Sequence, residues 1–476
     1  MSGVRPLAVA TAVVAGLFAA NLFIPSVGAH VGSPDVFFQG KAGSYPLLVA
    51  IRPPDVIPGI ARIEVRALSK DVRGIRLTPT PMTGIAAKHP PVPDTAVRSA
   101  SDPQFFEGAL WLMSTGSWEV RIHAIGASGE GDLPVPVPAV TLQIKPMQTG
   151  VGYFLTGMMT FLTVGMVAIV GAAVRESQLD PGAGGARWDR KTVLAMVCAS
   201  AVLIGGLWLG GSWWGEDAAT NSRKLYKPLG ISVVPHAAAG RMDLTLTDPG
   251  WLPLRKLDDL ISDHGHLMHL FLVRWPAMDR VYHLHPDQTA PGYFSTAMPS
   301  MAAGSYRLYA DIVHESGFAE TAVGETSFPE TAGATLGGDD AVGPSLPAGG
   351  YDMVWLHDKA KPIVATELNL FAFEITGPDG RAVNDLEPYM GMGGHAEFIK
   401  DDGSVFAHVH PTGSVSMASE EVASPAAMVA MHETKPGPVV SFPYGVPTPG
   451  RYRVFVQMKR AGKVETGSFE FVAKGK

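Results

Sequence analysis

Histidines recur at short spacings in the C-terminal half of the chain. One group occupies residues 264–269 (His-Gly-His-Leu-Met-His), and a His-Leu-His-Pro motif follows at 283–286. A Gly-His pair at 394–395 is followed in the same way by His-Val-His-Pro at 408–411. Imidazole is the commonest metal ligand that proteins supply. The repeated pattern therefore predicts metal binding.

The histidine groups belong to a longer repeat. Matching segments occur in the same order on both sides of residues 331–349, a stretch rich in Gly, Ala and Pro. We interpret this as a tandem duplication of one β module, residues 216–330 and 350–476, joined by a flexible linker. The matching segments are Leu246-Thr-Asp-Pro-Gly with Ile375-Thr-Gly-Pro-Asp-Gly, Leu257-Asp-Asp-Leu with Val383-Asn-Asp-Leu, and Ala303-Gly-Ser-Tyr-Arg with Pro449-Gly-Arg-Tyr-Arg.

Each module places its histidines on a β-hairpin. Asp402-Gly403 is a strong two-residue turn signal, and pairing outward from it puts His395 opposite His410. His408 is two residues away and shares their face. Facing side chains have Cβ atoms about 4.5–5.5 Å apart, so three imidazoles converge. The same pairing around a longer turn completes the predicted ligands: His269, His283 and His285 in the first module, and His395, His408 and His410 in the second.

Further donors flank both hairpins. His264 and His266 precede the first, and Met390 and Met392 precede the second. Imidazole suits copper and zinc, while thioether sulfur selects Cu(I). The combination predicts copper, with zinc as the alternative, and these four residues as further ligands.

Two other interpretations of the hairpins remain open. A His-x-His-Pro at a strand end can pack a core, each ring bonding to backbone groups, in a structural or assembly module without metal. A three-histidine site with an open position can instead activate water in a metal-dependent enzyme. No nucleophile elbow or phosphate-binding loop accompanies the histidines.

The amino-acid composition limits which classes of protein and of metal site remain possible. The chain has 476 residues, a net charge of −7 and one cysteine, Cys198, so nucleic-acid binding and thiolate zinc sites are not expected. Its mean hydropathy of +0.15 indicates membrane segments. Residues 1–29 are typical of a secretory signal. Cleavage after Ala29 would leave His30 at the new terminus, where its amine and imidazole can bind copper.

Two apolar runs predict a transmembrane hairpin over residues 149–215, with spans at about 151–174 and 192–214. The loop between them carries Arg175, Arg187, Arg190 and Lys191, which predicts a cytoplasmic loop. Residues 30–148, with short apolar runs between Pro and Gly clusters, predict a β-sandwich. The expected fold is mainly β: three immunoglobulin-like or cupredoxin-like sandwiches plus the two-helix hairpin, the sandwiches lying on the periplasmic side of a bacterial inner membrane.

The segment HVGSPDVFFQGKAGSYPLLVAIRPPDVIPG, which begins at His30, resembles the exported YtkA-like and CopC-like β-sandwich domains of bacterial copper handling. That resemblance implies a copper ligand at His30. The family's paired Asp and His on a late strand have only Arg121-Ile-His123 as a counterpart here, which departs from the pattern. The C-terminal modules are similar to uncharacterised bacterial membrane-anchored proteins with Gly-His…His-x-His-Pro repeats, which supplies no activity.

These patterns together predict a membrane-anchored periplasmic copper-binding protein that acts in copper delivery, sequestration or uptake support. Its expected partners are inner-membrane lipid and a copper-handling protein. Nucleic acid is not expected as a partner.

Overall fold

A computed structural model describes most of the chain after the predicted signal segment. Its strands and two long helices confirm the prediction of a mainly β chain with a helical hairpin. Residues 1–29 and His30 lie outside the described residues. Those described are 35–145, 147–184, 188–251, 255–345, 349–424 and 435–476.

The N-terminal domain consists of two sheets that enclose one apolar core. The first has strand order β1-β2-β3-β7-β6, and the second has β5-β4-β8-β9. Strand β9 carries three prolines and pairs only with β8, as expected because proline cannot donate to a second neighbour. The strands are β1 Val36–Ala42, β2 Tyr45–Arg52, β3 Gly59–Ala67, β4 Val72–Pro81, β5 Asp94–Thr95, β6 Val97–Arg98, β7 Phe105–Leu112, β8 Gly116–Gly126 and β9 Gly129–Ala139.

Two apolar helices follow, α1 at Thr149–Glu176 and α2 at Arg190–Arg223. At about 1.5 Å per residue each exceeds the roughly 30 Å hydrocarbon thickness of a bilayer, and both are apolar enough to cross one. A Cβ on Gly171 would lie 2.7 Å from Met196 Sδ, so the glycine permits close helix packing. Beyond the helices, Tyr226 N donates to Thr141 O, which brings the two ends of the hairpin together.

The first repeated module forms one long, curled sheet around a single core. Within the predicted linker, Ala341–Gly343 forms a strand that pairs with β14, so this part of the linker belongs to the sheet. The strands are β10 Gly230–His236, β11 Arg241–Thr247, β12 Leu260–Ile261, β13 His269–Trp275, β14 Val281–Leu284, β15 Asp287–Ala290, β16 Tyr293–Ala297, β17 Gly304–His314, β18 Ala319–Phe328 and β19 Ala341–Gly343.

The second module is a two-sheet sandwich with its own core. One sheet has strand order β20-β21-β25, and in the other β26 pairs with β22, β23 and β27 while β23 also pairs with β24. Its elements are β20 Asp352–Trp355, β21 Asn369–Thr376, β22 Leu386–Glu387, β23 His395–Lys400, β24 Phe406–Val409, α3 Met417–Ala423, β25 Val439–Tyr444, β26 Gly450–Arg460 and β27 Lys463–Ala473.

The two modules share one pairing scheme. Strand β13 pairs with β14 and β17, and the corresponding β23 pairs with β24 and β26. The short strands β12 and β22 add to β17 and β26 in the same way. This equivalence of strand pairing agrees with the internal repeat in the sequence.

A separate apolar core joins the two modules. Equivalent positions of the hairpins and of the strands beside them meet there, and Tyr309 stacks on Phe406 with ring centroids 4.2 Å apart. Arg307 donates to Asp402 O in the opposite hairpin turn, and Arg453 donates to Ala277 O in the other direction. The contact therefore has approximate twofold symmetry. The core contains Phe271, Val273, Met278, Val281, Tyr309, Ile399, Phe406 and Phe455.

The N-terminal domain supports the second module at one loop. Gln39 N donates to Thr412 O, and Ser414 N donates to Phe37 O. Phe37 is buried in the core of the second module, while Val415 is buried in the core of the N-terminal domain. This loop follows the His-Val-His-Pro motif, so the N-terminal domain fixes the end of that motif.

Truncating Phe406 tests the joining core. We expect Phe406→Ala to destabilise the C-terminal modules by about 3–5 kcal/mol, because a buried aromatic ring is lost and a cavity remains. The measurement is chemical unfolding monitored by tryptophan fluorescence. Val472→Ala, at an exposed position of β27, is the control and should change stability by less than about 0.5 kcal/mol. Equal effects of the two substitutions would contradict the packing described.

Candidate metal centre

The hairpin of the first module has the register predicted from sequence. Leu270 pairs with Leu284, and Phe271 pairs with His283. The next pair outward is His269 with His285, so the three histidines share one face of the hairpin. Ring centroids lie 5.4 Å apart for His269 and His283, and 4.6 Å apart for His283 and His285.

These three residues form the first histidine site: His269, His283 and His285 each offer a nitrogen within 4.8 Å of the other two. His269 Nε2 lies 3.0 Å from Asp263 O, His283 Nδ1 lies 2.8 Å from Gln457 Oε1, and His285 Nδ1 lies 2.9 Å from Asp340 Oδ1. Each partner atom is an oxygen that accepts, so each of these ring nitrogens carries the proton. The other nitrogen of every ring therefore presents a lone pair.

The lone pairs of the first site point at one another. His269 Nδ1 and His283 Nε2 are 3.1 Å apart, and His285 Nε2 is buried without a hydrogen-bond partner. Ligand nitrogens around an ion bound at about 2.0–2.1 Å in tetrahedral geometry are about 3.3 Å apart. The spacing and the outer hydrogen bonds are those expected of histidines that could hold a metal ion.

Tyr389 supports the same tautomer of His283. Its hydroxyl donates to Asp339 O at 2.7 Å, so its oxygen can only accept from His283 Nδ1, 3.4 Å away. Both groups facing Nδ1 are thus acceptors. Nε2 of His283 is left to face the site.

The second histidine site combines both modules. Its three residues are His264, His395 and His410, whose ligand atoms also lie within 4.8 Å of one another. His264 precedes the hairpin of the first module, whereas His395 and His410 come from the second. The described group contains His264 beside the predicted His395 and His410, while the third predicted ligand, His408, stays a prediction. A prediction made within each module could not place a residue from the opposite module.

The second site has the same tautomer arrangement. His264 Nδ1 lies 2.6 Å from Met390 O, and His410 Nδ1 lies 2.9 Å from Val415 O. Because both carbonyls accept, the two Nε2 atoms carry lone pairs, and they face each other at 3.3 Å. Both ring nitrogens of His395 are buried without a hydrogen-bond partner. A cation between these nitrogens would relieve the repulsion of their lone pairs.

His408 lies between the two sites. Its Nδ1 is 3.3 Å from Asp311 Oδ2, so this nitrogen faces a carboxyl group of the first module. Its centroid remains 5.1 Å from that of His395 and 5.6 Å from that of His269. The side chain is 5% exposed, and its Nε2 has no hydrogen-bond partner.

The remaining predicted ligands take other positions. His266 stacks on His285 with ring centroids 4.0 Å apart and also faces Asp339. Met390 supplies its carbonyl oxygen to His264, while Met392 packs against Met417. In the structure, Met390 therefore provides a backbone acceptor and Met392 provides an apolar contact.

His123 of the N-terminal domain belongs to neither site. Its two ring nitrogens face Asp132 and Glu130 at 2.9 and 3.0 Å. The comparisons below do not confirm the copper-handling resemblance of this domain.

Burial keeps the histidines neutral. It lowers the pKa of His410 to about 4, with the neighbouring His264 contributing in the same direction. Burial also lowers the pKa of His269, His283 and His395 well below the ordinary value, and adjacent imidazoles add to the effect. Protons therefore do not occupy the facing lone pairs near neutral pH, which leaves them available to a metal ion.

One signal in the sequence could have identified His264. Asp263-His264-Gly265-His266 and Tyr389-Met390-Gly391-Met392 are equivalent tight turns, each closed by a bridge between its first and last residues. His264 and Met390 both have positive φ, 52° and 50°, before a glycine. No sequence motif marks the acceptors Asp340 and Gln457, so only the tertiary structure identifies them as partners of the histidines.

The comparisons with known proteins assign no activity. Residues 348–475, essentially the second module, match the family DUF8832, described as a domain of unknown function. No curated protein matches the chain.

Similar solved structures have low identity. A tetra-tandem repeat from the extending region of a large adhesion protein is 11% identical, with 88% of this chain and 71% of that chain covered and a TM-score of 0.17. A "Putative membrane anchored protein from Corynebacterium diphtheriae" is 12% identical, with 93% and 96% covered and a TM-score of 0.16. Salmonella alpha-2-macroglobulin reacted with methylamine is 10% identical, with 94% and 24% covered and a TM-score of 0.20.

Helix α3, which follows Val415, contains a titrating carboxyl group. Thr412 Oγ1 donates to Glu420 Oε1. Burial raises the pKa of Glu420 to about 8, and nearby Asp263 acts in the same direction. At pH values between about 4.5, the ordinary pKa of glutamate, and about 8, Glu420 is protonated in the folded protein and ionised in the unfolded chain. Rising pH therefore destabilises the fold through this window by up to about 1.4 kcal/mol per pH unit.

Glu420→Gln should remove this dependence. We expect the wild-type melting temperature to fall relative to the variant as pH rises from about 5 to 8, and the difference to become constant above about pH 9. Scanning calorimetry of the metal-free protein measures it. Glu421→Gln, on the exposed side of α3, should keep the wild-type slope. Parallel curves for wild type and Glu420→Gln would contradict the assignment.

Proposed function

We propose that this protein is a membrane-anchored metal-binding protein that holds two ions in the histidine cluster between its C-terminal modules. The observation that carries the proposal is the orientation of the rings. Five of the six histidines direct one nitrogen to an oxygen acceptor and the other to its neighbours. A histidine that only packs a core satisfies both nitrogens, whereas these rings leave their inward nitrogens for a ligand.

Copper is the ion that we propose for the cluster. All the identified donors are imidazole nitrogens, and among divalent first-row metals such sites bind Cu²⁺ most tightly. Zinc, which also takes tetrahedral imidazole ligands, is the alternative outcome of the same measurement. Two ions on a membrane anchor suit storage or delivery to a partner protein.

The anchor supports a location at the inner membrane of a bacterium. Helices α1 and α2 expose nearly all of their apolar side chains, which lipid can cover. Basic residues lie in or beside the connection between the helices, so we place that connection in the cytoplasm and all three β domains in the periplasm.

Metal retention tests the proposed function. The detergent-solubilised full chain, loaded with copper and passed through gel filtration, should retain about two equivalents by mass spectrometry. The double variants His269→Gln/His283→Gln and His264→Gln/His410→Gln should each retain about one, because each removes two of the three histidines that define one site.

His236→Ala is the matched control and should retain both ions, since His236 lies at an exposed pair with Asp243. Circular dichroism establishes that each variant is folded. A folded wild type that retains no copper and no zinc would refute metal binding. Retention of zinc in preference to copper would overturn the identity of the ion alone.

Cysteine labelling tests the orientation. In a Cys198→Ser background, an impermeant maleimide should label Lys359→Cys in cells with a permeabilised outer membrane, because this exposed residue belongs to a periplasmic module. It should label Ala183→Cys, in the connection between the helices, only after the inner membrane is lysed. The opposite pattern would contradict the proposed location.

A further inference from the structure

One buried residue breaks the symmetry of the joining core. Glu397 on β23 is equivalent to Phe271 on β13, since each lies two residues after the first histidine of its hairpin. Phe271 stacks on His283 with ring centroids 4.3 Å apart. Glu397 is 0% exposed, and neither of its carboxyl oxygens has a hydrogen-bond partner. A buried polar group without partners destabilises a fold, so its presence calls for a ligand.

A second unpartnered donor lies beside it. Glu397 and His408 are directly paired across β23 and β24, so their side chains share one face. The contact with Asp311 places the His408 proton on Nδ1 when that carboxyl accepts, and Nε2 is then a lone-pair donor. The His408 ring is 4.6 Å from that of His410 between centroids. A nitrogen and a carboxyl group thus border the second site.

Acidic groups are also concentrated around the second site. Asp263, which precedes His264, and Asp311, which faces His408, are buried carboxyl groups, and Asp311 lies near both Asp263 and Glu397. Within the part of the chain that is described, no Lys or Arg forms an ion pair with any of the three. A divalent cation would compensate these carboxyl groups in their ionised form. At the first site, the carboxyl group of Asp340 bonds to the outer nitrogen of His285, and the three ligands are neutral imidazoles.

We propose that the second site binds a divalent cation and that Glu397 and His408 are additional ligands beside His264, His395 and His410. This rests on the proposed metal-binding function and assigns the two sites different preferences. Carboxylate oxygen favours divalent ions over Cu(I). The first site, with neutral nitrogen donors alone, accepts Cu(I) as well.

The experiment uses the full chain in detergent, with His269→Gln/His283→Gln as the parent so that only the second site binds. Co(II) is titrated alone by its visible absorption, and Cu(I) is titrated against a chromogenic chelator. We expect Glu397→Phe and His408→Ala to weaken Co(II) binding at least about tenfold, since even the loss of outer-shell partners costs about 10–100-fold. Cu(I) affinity should change less than about threefold in Glu397→Phe.

Glu397→Phe also separates a ligand from a structural residue. The substitution gives position 397 the residue type of its equivalent, Phe271. We therefore expect the metal-free variant to melt at a higher temperature than its parent while binding Co(II) more weakly. Unchanged Co(II) affinity in both variants would overturn the inference and leave the proposed function intact. An equal loss of Co(II) and Cu(I) affinity would overturn the divalent preference. A parent that binds neither ion would refute the proposed function at this site.

Discussion

The apolar contact between the two C-terminal modules is the interaction on which the candidate site depends. Its core is built from equivalent strands of both modules, with Tyr309 stacked on Phe406 at its centre. Because the histidine faces border this core, docking of the modules brings eight imidazoles together. The first module supplies five of these imidazoles and the second supplies three.

The approximate twofold symmetry explains how the rings are oriented. Gln457 and Asp311 occupy equivalent positions opposite His395 and His269. Each reaches across the contact to the opposite module, Gln457 to His283 and Asp311 to His408. A duplicated domain thus supplies the outer hydrogen bonds of its copy. Where the copies differ, at Glu397 and His264, the two sites become chemically distinct.

The other parts of the chain hold this arrangement in place. The N-terminal domain pairs with the loop after His410, whose Val415 carbonyl orients that ring. The cluster is therefore fixed by the contact between the modules and by the N-terminal domain. The imidazoles are buried as a result, and burial lowers their pKa values.

The sequence by itself determined the repeat, the helical hairpin and the hairpin register that pairs His269 with His285 and His395 with His410. These features depend on local periodicity, turn chemistry and the apolar length of segments, which short stretches of sequence encode. Only the tertiary structure decided that His264 joins the second site and that His408 turns toward Asp311. Those contacts depend on how two distant surfaces pack, and the angle of that packing results from many small side-chain contacts that no local pattern records.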